Sequence, residues 1–213
     1  MPDIKTLLNI CSDPALRHWA ANKSWSAIYN TCHQGGWLLL LFQKANPQDT
    51  RLLTLAKGHC ANTVRHLMRD TRSVAAVDAA IAYGSNKITE EQLSAAATPT
   101  GAAAADAFAA ANYGNYAPDN ARIFTHYHAT NAPDLAAYLA ASVAVTAAYI
   151  THNAANVAAD AACAIAYSYH HMHYPGEYHP AHYTEAIAAE SANLLLTANL
   201  VRQYIPINRW CVD

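Results

Sequence analysis

The stretch 132-APDLAAYLAASVAVTAAYI-150 decides the fold class of this 213-residue chain. Its larger side chains, such as Leu135, Leu139, Val143 and Thr146, recur every three or four residues, which is the period of an amphipathic α-helix. Alanine fills most of the other positions, and it has the highest helix propensity of all residues. The stretch therefore predicts a long helix that neighbouring helices can approach closely.

The same spacing runs through most of the chain, and runs with the period of two that is typical of β-strands are missing. Ser24 predicts the start of a helix that Gly35 and Gly36 end, and Ser73 predicts the start of a later one. We expect an all-α fold, a single-domain antiparallel helical bundle of about seven to nine helices.

The domain spans residues 1–213. Its helices at 24–97 contain Trp and Cys, and those at 98–206 are alanine-rich with Tyr/His-rich loops. An apolar stripe that begins near Asp49 leaves Lys57 facing away from the core.

Core positions are expected for Trp25, Cys32, Trp37, Leu52 and the tail residue Trp210. Arg51, Asp49, Asp70 and Arg72 are expected to form structural ion pairs.

The amino-acid composition argues against several classes of function. Hydrophobic residues make up 53% of the chain and charged residues 13%, with a formal net charge of -2 and 13 scattered Lys and Arg residues. A nucleic-acid partner is not expected, because it would require clustered basic residues. No apolar run approaches the roughly 20 residues that span a bilayer, and the N-terminus lacks signal-peptide features. We expect a soluble, cytoplasmic protein without a membrane partner.

Motifs for catalysis are also missing. The five cysteines are widely spaced and include no C-x-x-C pair, so they indicate small buried hydrophobes, with no disulfide framework or zinc knuckle. There is no G-x-S-x-G elbow and no G-x-x-x-x-G-K-[ST] loop. We expect a protein that is not an enzyme and needs no cofactor.

A set of positions in residues 24–112 resembles a known family. They are Trp25, Cys32, Gly35, Trp37-Leu38-Leu39, Asp49, Arg51-Leu52, Cys60, Asp70, Arg72-Ser73, Ala82-Tyr83-Gly84, Thr89, Glu91 and Leu93. The pattern resembles an alanine-rich helical family of bacteria and their phages, whose members are labelled immunity proteins of the polymorphic-toxin type. The resemblance implies a protein that binds and neutralises a partner toxin, and it transfers no catalytic residues.

The stretch 167-YSYHHMHYPGEYHPAHY-183 has five histidines and five tyrosines in an otherwise alanine-rich region. If 132–150 and 153–169 are antiparallel neighbours, the segments 113–131 and 170–183 meet at one end of the bundle. The resulting Tyr/His surface comprises Tyr113, Tyr116, His126, Tyr127, His128, Tyr169, His170, His171, His173, Tyr174, Tyr178, His179, His182 and Tyr183.

Several functions fit this surface. Tyrosine and histidine can contact a protein partner, such as a toxin or a defence component, and non-enzymatic neutralisation of that partner is the function we expect. The alternatives are a phage counter-defence protein that sequesters a small nucleotide-like ligand, and a metal held by His171, His173, His179 and His182. The side chains could also simply be solvated. Formation of a homo-oligomer stays open.

Overall fold

The computed structural model describes residues 4–110, 132–148, 154–173 and 180–210. Within these ranges the chain forms helices and no strand, which confirms the all-α class. The α-helices are α1 (Ile4–Asn9), α2 (Pro14–Ala20), α3 (Trp25–Thr31), α4 (Gly35–Ala45), α5 (Thr50–Asn62), α6 (Thr71–Gly84), α7 (Glu90–Ala97), α8 (Thr100–Ala110), α9 (Ala132–Ala148), α10 (Ala154–His173) and α11 (Pro180–Tyr204). Their number exceeds the expected seven to nine because α1 and α2 precede Ser24, the first predicted helix start.

The helix starts confirm part of the sequence reading. The Ser24 hydroxyl accepts a hydrogen bond from the Ala27 N–H at 3.1 Å, as a helix N-cap does. The prediction for Ser73 is wrong, because Asp70 caps α6 by accepting from the Arg72 N–H at 2.8 Å. The helix therefore starts a turn earlier than expected, and Ser73 is fully buried.

Gly35 and Gly36 also act differently from the prediction. They begin α4, whereas α3 has already ended at Thr31. A Cβ on Gly35 would lie 2.6 Å from the Thr197 Oγ1, and one on Gly36 would lie 2.2 Å from the Asn156 Oδ1. The two glycines are needed because α10 and α11 approach the α4 backbone too closely for a side chain.

This contact fixes the relative direction of α10 and α11, which pack against each other. Asn156 lies in the first turn of α10, whereas Thr197 lies in the C-terminal half of α11. Since adjacent residues of α4 touch both, the start of α10 lies beside the later part of α11. The two helices therefore run antiparallel.

Helices α5 and α6 pair in the same manner. A Cβ on Gly58 would lie 2.9 Å from the Ile81 Cγ1, and one on Gly84 would lie 2.4 Å from the Leu55 Cβ. Residue numbers fall along α6 as they rise along α5, so these helices are antiparallel. Helix α5 also packs against α4, α9, α10 and α11, which places it inside the structure.

One buried core is aromatic and joins the two ends of the described chain. Trp210 is 1% exposed, and its ring centroid lies 5.6 Å from those of Tyr29 and Phe42 and 5.9 Å from that of Trp25. These distances are typical of favourable aromatic pairs. The core positions predicted for Trp210 and Trp25 are thus confirmed. Cys32 is buried in the same core, and Trp37 and Leu52 pack against it, also as predicted.

A second core consists mainly of alanines of α6, α9 and α10. It also contains the larger side chains of Val77, Leu139 and Val143. Its small side chains allow the close helix packing that the sequence predicts. None of the described helices is both long and apolar enough to cross a membrane.

Three of the four residues expected to form ion pairs, Asp49, Asp70 and Arg72, do form them. Arg72 contacts the carboxylates of Asp70 and Asp106, each at 2.6 Å, and Asp49 contacts Arg209 at 2.7 Å. Arg51 forms no ion pair with another described residue. Its guanidinium donates to the Tyr83 carbonyl at 2.6 Å and lies 4.2 Å from the Tyr83 ring centroid.

Candidate functional site

The structure describes part of the Tyr/His surface, at the level of the backbone. Tyr169, His170, His171 and His173 occupy the last turns of α10. His182 and Tyr183 occupy the first turn of α11. The remaining members lie outside the described residues, namely Tyr113, Tyr116, His126, Tyr127, His128, Tyr174, Tyr178 and His179.

The expectation that 170–183 is a loop is wrong at both ends of that segment. Residues 170–173 continue α10 and residues 180–183 begin α11. Pro180 explains the start of α11, since proline is favoured in the first turn of a helix, where no intrahelical partner for its nitrogen is needed. Most of the histidines of this stretch are therefore positioned by helix ends.

The antiparallel arrangement of α10 and α11 brings these two helix ends to the same side. The contacts of Gly35 and Gly36 pair the start of α10 with the later part of α11, so His173 and Pro180 both lie at the other end. The histidines at 170, 171 and 173 are near the C-terminus of α10, where the helix carries partial negative charge and favours cationic side chains. The position of 113–131 relative to this end lies outside the described residues.

Residues 123–201, which contain most of the candidate surface, carry fixed charges of one sign. Residues 123–201 contain no Lys or Arg, and their acidic residues are Asp134, Asp160, Glu177, Glu185 and Glu190. Eight of the chain's 12 histidines lie in the same span. Histidine is therefore its only basic side chain, and the charge of this part of the protein depends on pH.

The structure tests metal binding only for the side chains that it describes. Among the side chains that the structure describes, no group of three or more His, Cys, Asp or Glu residues is arranged to hold a metal ion. The candidate ligands His171, His173, His179 and His182 are not among those side chains, so the metal alternative stays a hypothesis.

The sequence analysis missed that Lys57 is buried. Lys57 is 1% exposed on the central helix α5, although its charge suggested a position facing solvent. Burial lowers the pKa of Lys57 to about 8. The spacing contains the missing signal, since Lys57 lies four residues after buried Leu53 and four before buried Ala61, on one face of the helix.

The described cysteines are buried, and the pKa is raised for two of them. Cys11, Cys32, Cys60 and Cys163 are buried and form no disulfide, which confirms the prediction for them. Burial raises the pKa of the Cys32 thiol to about 11 and that of Cys60 to about 12. Both thiols are protonated at neutral pH, and the thiolate is the reactive form.

Two polar contacts link α5 and its C-cap residue Thr63 to α11. The Asn193 Nδ2 donates to the Thr63 Oγ1 at 3.2 Å, and the Cys60 thiol lies 3.9 Å from the Thr197 carbonyl oxygen. The Asn193 Oδ1 is buried without a hydrogen-bond partner. Such polar contacts fix the register of two helices whose other facing residues are small.

In comparisons with known proteins, no family model matches the chain, and no curated protein or solved structure is significantly similar to it. The resemblance to immunity proteins therefore rests on the residues alone. Several of those residues, such as Trp25, Cys32 and Cys60, lie in the cores described above. They bear on the fold more directly than on binding.

Proposed function

We propose that this chain is a non-enzymatic binding protein that neutralises a partner protein through the Tyr/His surface, as an immunity protein neutralises a toxin. The observation that supports this most is the antiparallel packing of α10 and α11. It places the histidine-bearing end of α10 and the first turn of α11, with His182 and Tyr183, at the same end.

The chemistry of the surface suits a protein partner. Tyrosine and histidine combine an apolar ring with a polar group, and tyrosine is enriched at the centres of protein interfaces. Binding by such side chains needs no catalytic group. Most of the surface lies in residues 123–201, whose fixed charges are all acidic, so a partner with exposed Lys and Arg residues would be favoured electrostatically.

A variant of the surface tests the proposal. The products of the genes adjacent to this one are expressed singly, purified and titrated against the chain by calorimetry. We expect one of them to bind the wild type and to lose at least about tenfold in affinity, or 1.4 kcal/mol, when His171, His173, Tyr178 and His179 are changed to alanine.

A matched control replaces His18, His33 and His66, which are exposed in the N-terminal half, and should bind like the wild type. Circular dichroism shows whether each variant keeps its helices. Unchanged binding by the first variant, or turnover of a nucleotide or ester by the pure protein, contradicts the proposed function.

A further inference from the structure

Helix α11 has an exposed face with an unusual amount of apolar surface. Only four large hydrophobic side chains of the described residues are exposed, and three of them, Ile187, Leu195 and Leu196, lie on this helix with exposed fractions of 43%, 42% and 48%. Between them the exposed positions are the small residues Ala188, Ser191 and Ala192. Single exposed apolar residues are ordinary, but a row on one helix marks an interaction surface.

From this face we infer that α11 pairs with α11 of a second copy of the chain in an antiparallel, two-fold symmetric dimer. The inference is independent of the proposed function. It rests on the size and charge of the residues that face each other when two copies of α11 pack antiparallel.

Side-chain size is the first complementary property. An antiparallel pairing centred on Asn193 sets Leu195 of each copy against Ser191 of the other, because both lie two residues from the centre. A large side chain then meets a small one twice, which allows the helices to approach closely. A two-fold interface of this kind is self-complementary by symmetry.

Charge is the second complementary property. Glu185 is exposed near the N-terminal end of the face, and the half-buried Arg202 lies near its C-terminal end. The Arg202 guanidinium donates to the Asn199 Oδ1 at 2.9 Å and also to the carbonyls of Tyr29 and Cys32. The antiparallel pairing places Glu185 of one copy close to Asn199 and Arg202 of the other. A parallel pairing would place Glu185 against Glu185, and like charges repel. The antiparallel direction is therefore favoured.

The area of the exposed α11 face determines how stable a dimer we expect. The 20 residues from Thr184 to Gln203 form a strip about 30 Å long and about 10 Å wide. This is small against the roughly 800 Å² per partner of a standard stable interface. We expect a reversible dimer that dissociates on dilution.

Sedimentation equilibrium with the full chain tests the inference over a range from about 1 µM to about 200 µM. The average mass of the wild type should rise from 23.0 kDa toward twice that value as concentration increases. Leu195→Glu should stay at the monomer mass throughout. Ile10→Glu, which changes an exposed isoleucine outside α11, should associate like the wild type. Circular dichroism and thermal melting establish that each variant is folded.

Disulfide trapping tests the direction of pairing in a Cys211→Ser background. A mixture of Glu185→Cys and Asn199→Cys chains should give a crosslinked dimer under mild oxidation, whereas either variant alone should crosslink much less. A wild type that stays monomeric at all concentrations, or a Leu195→Glu variant that still dimerises, overturns the inference. Efficient crosslinking of each variant alone indicates a parallel pair and also overturns it.

Discussion

The imidazole ring of His59 stacks on the phenol ring of Tyr204, with the ring centroids 3.8 Å apart and the planes 5° from parallel. The stack joins α5 to the last residue of α11, and burial lowers the pKa of His59. The unfolded chain therefore takes up a proton on this histidine more readily than the folded chain does.

The first prediction concerns stability below neutral pH. Since the unfolded state binds the proton more tightly, the contribution of His59 to the free energy of unfolding should be fully present above about pH 6.5 and decrease as the pH falls below that value. His59→Phe keeps an aromatic ring in the stack and removes the titration, so its urea-unfolding free energy should depend less on pH. His66→Phe, at an exposed position, is the control. An equal pH dependence in the wild type and His59→Phe would refute the prediction.

Lys57 gives a prediction on the alkaline side. Its pKa is lowered from 10.5 to about 8 by burial, so between these values the unfolded chain holds the proton and the folded chain has lost it. The contribution of Lys57 to the free energy of unfolding should rise across this interval, by on the order of 3 kcal/mol, whereas the buried thiols of Cys32 and Cys60 act in the opposite direction above about pH 9. Lys57→Met should lose this rise, whereas Lys44→Met, at an exposed position of α4, should keep it. Urea titrations at several pH values compare the three proteins, and a rise that persists in Lys57→Met rules the assignment out.

The third prediction concerns the glycine contact that aligns α10 and α11. A methyl group on Gly35 would meet the Thr197 backbone carbon at 2.8 Å, so Gly35→Ala must push α11 away. We expect a loss of about 1–3 kcal/mol in the free energy of unfolding, measured by urea denaturation. Gly101→Ala is the matched control, because a Cβ there meets nothing within 4 Å, and helix propensity should make it neutral or stabilising. Equal effects of the two substitutions would show that the close approach is not limiting.

The fourth prediction concerns binding through the Tyr/His surface. Protonation adds positive charge to a region whose fixed charges are acidic, so affinity for a basic partner should weaken as the pH falls from about 7.5 to about 5.5. Calorimetry across this range measures the change. A chelator should leave the affinity unchanged if the histidines contact the partner directly, whereas abolished binding would indicate metal ligation.

How far the sequence predicted the fold is clearest at the helix starts. Ser24 and Asp70 are both good capping residues, but the sequence predicts only Ser24 as a cap. Local propensity could not decide between Asp70 and Ser73, since either can accept from the backbone of a first turn. The choice depends on packing, because Ser73 is buried in the structure.

Long-range packing also explains the error at Lys57. A charged residue in an amphipathic pattern is assigned to the solvent side, but α5 is covered by helices from several directions. The spacing from Leu53 and Ala61 indicates the buried face of α5, but it does not show which helices cover that face. At the candidate site, the sequence predicted that the segments 113–131 and 170–183 meet, which stays a prediction because 113–131 lies outside the described residues. It missed that residues 170–173 and 180–183 belong to helices, because Tyr and His have no strong helical signature.

The aromatic core around Trp210 has a consequence for synthesis on the ribosome. Tyr29 and Arg202 are 173 positions apart, yet the Tyr29 hydroxyl donates to the Arg202 carbonyl at 3.0 Å in the same region. Trp25, Tyr29 and Phe42 emerge early, and their contact surface arrives only with the last helix. Contacts of such separation slow folding, and exposed aromatic side chains on a nascent chain promote aggregation. The first helices therefore leave these aromatic side chains uncovered until α11 and Trp210 have been made.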